Sequence, residues 1–174
     1  MLDTYKELIK NQFEAAFCAL NACADLCPDE LWDKPVAKNP YCQSVFHTLI
    51  FADLYLEPGM DGFRDQPFHQ EHPEFFGDYE QLEPREPVGL YTKEDIRRYL
   101  NVCRQKAAAV IDAEEEETLK GPSGFSFRKC TRAELHVYNM RHIQHHIAQL
   151  NMRLRLDTDL DPPWVGHAWK ELDG

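Results

Sequence analysis

The stretch MRHIQHHIAQLNMRLR, residues 140–155, holds three histidines within five positions: His142, His145 and His146. Imidazole is the side chain that titrates closest to neutral pH and the commonest ligand for divalent metals. On a helix, residues four apart share a face, so His142 and His146 form a two-point clamp while His145 points away, toward Tyr138. Two ligands do not make a divalent site, which needs at least three protein donors. His47, in SVFHTLIFADLYL, offers a third from a face shared with Ile50, Phe51 and Leu54. A histidine on so apolar a face is either neutral with a hydrogen-bond partner or bound to a metal. Residue spacing alone leaves both readings open.

The remaining candidates carry blander expectations. His136 falls in the apolar sector of its segment and is read as structural. His69 and His72, in FHQEHPEF, form an H-x-x-H among carboxylates and are read as exposed loop residues, with a rival ligand role as the alternative. Six cysteines include no C-x-x-C; Cys23 and Cys27 sit one turn apart, but small buried hydrophobes are the better reading. The acidic run Glu114 to Glu117 is read as a solvated face.

Four helical segments must position these groups. Apolar residues at three- and four-residue spacing run from about Leu2 to Ala24. A second helix starts at Tyr41 after Pro40 and runs until Pro58-Gly59. A third begins at an N-cap pattern, Thr92 with Glu94 and Asp95, and continues to Gly121-Pro122. The fourth begins at Thr131 with Glu134 completing a capping box and ends near Leu156. Along it Leu135, Ile143, Ile147, Leu150 and Leu154 fall in one sector, which His142 and His146 border. The expected architecture is an all-α four-helix bundle forming one domain over residues 1–174. A long irregular insertion, about 59–91 and rich in proline and aromatics, joins helices two and three; a tail follows at about 157–174. The insertion's Phe63, Phe68, Phe75, Phe76 and Tyr79 predict that it packs down, as a lid over a metal.

The formal net charge of -11, from nineteen basic and thirty acidic residues, disfavours nucleic acid and acidic membranes as partners. No apolar run approaches a membrane span, and the first residues lack a signal-peptide pattern, so a cytoplasmic protein is expected.

SVFHTLIFADLYL, the H-x-x-x-H-x-x-Q run HIQHHIAQ (His142, His146, Gln149) and the four-helix spacing together resemble the DinB-like/YfiT-like superfamily. That resemblance covers the chain from the first helix to Leu156. It implies an up-down-down-up bundle, a divalent metal (nickel or zinc) held by His47, His142 and His146, and a homodimer. It also implies a metal-dependent transferase or isomerase using a low-molecular-weight thiol such as bacillithiol or mycothiol. Other members are described as hydrolases, and many have no assigned reaction. The insertion and the tail DPPWVGHAWKEL depart from the family core and would shape a private pocket for a small-molecule substrate.

Three neutral histidines leave open positions on a metal, which suits catalysis more than structure. Asn139 and Gln149, one turn to either side of the pair, are expected to touch the ligands, the substrate or a thiol cofactor. Asp53 and Glu57 are the nearest candidates for a general base, and weak ones, which favours a transferase over a hydrolase. A non-catalytic bundle that binds a metal or another ligand is the reading from a different class.

Overall fold

Burial along the four periodic segments follows the apolar spacing. The computed structural model describes residues 1–83 and 88–169; Pro84, Pro87 and the last five residues of the expected tail lie outside the described residues. The long helices are α1 (Leu2–Leu26), α3 (Tyr41–Leu54), α6 (Lys93–Ala113) and α8 (Arg132–Thr158). Between them lie the short α2 (Asp29–Trp32), α4 (Pro67–Glu71), α5 (Pro73–Phe76) and α7 (Glu116–Lys120). The fold is all-α, a core bundle of long helices with shorter ones added, and no strand occurs among the described residues.

Two helix starts are fixed by reciprocal hydrogen bonds. The Thr131 hydroxyl accepts from Glu134 N at 3.2 Å while the Glu134 carboxylate accepts from Thr131 N at 2.9 Å. Thr92 and Asp95 repeat the arrangement at the start of α6. Each box satisfies two backbone donors that a helix N-terminus leaves free.

Side-chain bonds reveal how the helices run. Lys10 of α1 meets Asp112 near the end of α6, while Arg97 near its start meets Asp25, so α1 and α6 are antiparallel. Tyr5 bonds Ala133 O and Cys23 bonds Asn151, so α1 and α8 are parallel. Asn139 of α8 donates to Ala52 O while Arg132, about two turns earlier, reaches the carbonyls of Tyr55, Leu56 and Glu57. Helices α3 and α8 therefore run antiparallel. The five apolar residues predicted on the inner face of α8 are all buried.

Three expectations need correction. The third helix does not continue to Gly121: it stops at Ala113, where Glu114 turns to extended backbone, and α7 follows separately. Glu114 is not solvated but 6% exposed, because its carboxylate accepts from Arg132 Nε at 2.8 Å and faces His136 Nε2 at 2.9 Å. Only Glu115, Glu116 and Glu117 keep the predicted exposure. The insertion is less irregular than expected, since it carries α4, α5 and two 3-10 turns. Its aromatics do pack down. Phe75 meets Phe46 edge-on at 5.2 Å, and Phe68 stacks on Tyr99 at 5.6 Å.

The loop from α7 to α8 folds back onto the end of α3. Gly124 adopts φ +89° there, and a Cβ on it would lie 1.8 Å from Pro58 O. No side chain fits, so glycine is required at this approach.

Candidate metal centre

Helix α3 presents His47 and helix α8 presents His142 and His146, and packing of the two helices brings the three rings together. Their candidate ligand atoms all lie within 4.8 Å of one another. Ring centroids are 5.6 Å apart for His47 and His142, 4.8 Å for His47 and His146, and 4.6 Å for His142 and His146. The register follows from the antiparallel contact: Asn139 fixes α8 against Ala52, one turn and a half along α3 from His47.

Partial burial makes all three imidazoles hard to protonate. Burial, reinforced by the neighbouring histidines and by Arg128, lowers His142 to about 3. Burial with His47 and His145 lowers His146 to about 4. His47 is also lowered by burial, with a bond to Gln81 opposing. At neutral pH the rings are uncharged and each keeps a lone pair, the form that ligates metals.

Two polar atoms at the centre have no partner. Nδ1 of His142 and the amide nitrogen of Gln81 are buried and unpaired. A buried polar atom without a partner costs free energy, about 1–3 kcal/mol. The imidazole nitrogen at least would regain an interaction by ligating a cation. An all-imidazole donor set with an unpaired lone pair fits a divalent transition metal.

Gln81, from the insertion's final 3-10 turn, places its Oε1 3.0 Å from His47 Nδ1. With the proton on Nδ1, His47 donates to Gln81 and turns the lone pair of Nε2 toward the other rings. Such a bond is how proteins commonly fix the tautomer of a metal-binding histidine. Sequence spacing gave no sign of Gln81, which stands 34 positions from its partner. Phe51 packs against His47 at 4.7 Å and His142 at 5.7 Å, so one wall is apolar. The aromatic mass of the insertion lies elsewhere, against Phe46, Tyr91 and Tyr99.

The other expected residues fall in different places. His145 is exposed, as its direction predicted, and bonds Gln149 at 2.9 Å. Gln149 is therefore turned outward, into an open groove with Val36, Met152 and Leu156. Asn139 is fully buried and its amide ties α8 to α3. His136 is structural in its contacts, held by Glu114. His69 reverses its expectation: it is 2% exposed, with Nε2 2.8 Å from Asp53 Oδ2 and Nδ1 3.1 Å from the Tyr79 hydroxyl. Its carboxylate neighbours in sequence suggested solvent, whereas its partner comes from α3. Asp53 is consumed by that contact, by Tyr99 at 2.7 Å and by Lys106, which also pairs with Glu57. Neither carboxylate is free to act as a base. Burial lifts the thiols of Cys23 and Cys27 to about 12, so neither supplies a thiolate.

The family now follows. Residues 12–150 match the DinB superfamily, and the chain belongs to it. Searches of curated proteins and of solved structures gave no match. The matched residues include all three histidines. Among the described residues no helix is long and apolar enough to cross a membrane.

Proposed function

We propose that this chain is a divalent-metal-dependent enzyme that transfers a low-molecular-weight thiol to a small electrophile, or isomerises a substrate with that thiol's help. The observation that carries the reading is three uncharged, converging imidazoles with a buried, unpaired nitrogen among them. His47, His142 and His146 would hold the ion, nickel or zinc. Bound there, it supplies Lewis acidity that favours a thiolate over a thiol at neutral pH. The residues do the rest: Gln81 orients His47, and Phe51 excludes water from one side. In the transfer itself sulfur forms a bond to carbon, the leaving group departs with the bonding pair, and the thiol proton passes to solvent.

A transferase suits the surroundings better than a hydrolase. Hydrolysis wants a base to take a proton from water, and Asp53 and Glu57 are both tied to Lys106. The helix directions support the up-down-down-up bundle of the family as a single domain over residues 1–174. We further propose a cytoplasmic protein that works as a homodimer.

The test is turnover of an activated halide by nickel- or zinc-loaded protein, with and without added thiol. Strict thiol dependence is expected. Turnover without thiol would replace the reading by a hydrolase, and no turnover across a panel of thiols and electrophiles would favour a non-catalytic metal-binding bundle.

A further inference from the structure

Beside the histidine cluster lies a cation that the proposed chemistry has not used. Arg128 sits in the loop between α7 and α8, where its backbone is pinned: its N donates to Phe125 O and its carbonyl accepts from the Ser123 hydroxyl at 2.7 Å. Its guanidinium lies among three rings, Tyr55, Phe127 and Tyr138, with Nη2 donating to the hydroxyls of Tyr55 at 2.9 Å and Tyr138 at 2.6 Å. Cζ stands 4.4 Å from the Tyr138 ring centre. Tyr55 in turn lies edge-on to His142 at 6.2 Å, so one aromatic ring separates the guanidinium from the metal centre.

This arginine has no anionic partner among the described residues, in a chain with an excess of eleven negative charges. Arg64, Arg97, Arg104, Arg132, Arg153 and Arg155 are all paired with carboxylates. Arg98 and Arg141 are unpaired but exposed, where water serves them. Arg128 is half-buried, and its Nε–H is buried with no acceptor at all. Beyond it a shallow depression, lined by Phe125, Ser126 and Lys129 among others, opens to solvent. Glu134 also borders the depression, but its carboxylate is spent on capping α8.

A guanidinium that is fixed and partly desolvated, with no carboxylate beside it, binds an anion through whichever Nη hydrogens face solvent. We propose that Arg128 is the substrate-anchoring residue of this site and that the substrate or its thiol carries a carboxylate. The inference rests on the metal-centre reading and narrows it to anionic small molecules. Tyr55 and Tyr138 are positioning residues, since they aim the guanidinium.

The experiment titrates cobalt-loaded, 15N-labelled protein with two probes, 3-mercaptopropionate and the uncharged 3-mercaptopropan-1-ol. Cobalt absorption reads the metal centre, and the Arg128 Nε–H resonance reads the anchor. The acid is expected to bind about tenfold tighter than the alcohol, the worth of one charge-assisted hydrogen bond, and it alone moves the Arg128 resonance. Arg128→Gln should equalise the probes without loss of cobalt, while Arg128→Lys retains part of the preference. Equal affinity of the two probes for the wild type would overturn the proposal, as would a preference that survives Arg128→Gln. Should Arg128→Gln fail to fold, the paired wild-type titrations decide. If the chain retains no cobalt, the metal centre fails separately. The anchor then stands on a carboxylate-dependent shift of Arg128 in the metal-free protein and falls without one.

Discussion

His69 and His142 are both drawn toward the interior of one bundle, yet they differ in how their polar atoms are served. His69 has a partner on each nitrogen, Asp53 and Tyr79. Asp53 is itself bonded by Tyr99 and Lys106 and approached by Gln66, with Lys106 shared with Glu57. Burial pushes the Asp53 carboxyl up, but His69 and Lys106 outweigh it and hold it below the usual carboxylate range. His142 sits among two other histidines, uncharged, with one nitrogen buried and unpaired. The first group is saturated and ties the insertion to α3 and α6. The second keeps one ring nitrogen, Nδ1 of His142, buried and unpaired, which costs free energy. His136 also keeps an unpaired Nδ1, but it stands beside Glu114 rather than among other imidazoles, so convergence of three rings is what sets His142 apart.

Disrupting the saturated group should give the larger stability effect. Asp53→Ala strips a buried carboxylate from His69, Tyr99 and Lys106, and should cost about 3–5 kcal/mol in chemical denaturation. Metal content of the folded fraction should not change, which keeps the two regions separable. On the other side of the comparison, Gln81→Ala removes the bond that orients His47. It should weaken metal binding about 10- to 100-fold while leaving the metal-free protein's stability within roughly 1 kcal/mol, as a competition titration against a chelator would read.

Acid tests the electrostatic half of the contrast. In the unfolded chain these histidines titrate near about 6.5, whereas folded His142 and His146 titrate at about 3 and about 4. Between those values the unfolded state binds more protons, so lowering the pH favours unfolding. Their contribution is whole above the unfolded pKa and is lost as pH falls toward the folded ones. Metal-free wild type should lose stability steadily from pH 7 toward 4.5, and His142→Gln should flatten that slope. An unchanged slope would mean that the rings are not shielded. The smallest effect concerns the helix that carries the pair: Thr131→Ala removes half of the capping box and should cost about 1 kcal/mol in thermal denaturation, with metal affinity unchanged.

Local periodicity made the cluster legible in the sequence. The apolar stripe of α8 set the directions of His142, His145 and His146, and the Thr131 capping box and the Thr92 N-cap pattern marked helix starts to within a residue. What escaped depends on partners far along the chain. Glu114 looked solvated because its neighbours are acidic, yet Arg132 and His136 draw it inward from 18 and 22 positions away. His69 was misplaced for the same reason, with Asp53 16 positions distant. Gln81 and Arg128 gave no local signal at all, since an isolated polar residue in a loop has no period to read. Periodicity reports which face is buried; it is silent on which buried polar groups will find each other.

The central claim is that His47, His142 and His146 hold one divalent ion. Metal content by mass spectrometry on tag-free protein tests it most directly, comparing wild type with His47→Ala and His146→Ala. About one ion per chain is expected in the wild type, and near none in either folded variant. Substoichiometric metal that persists through both substitutions would contradict the account and return the three histidines to a structural role.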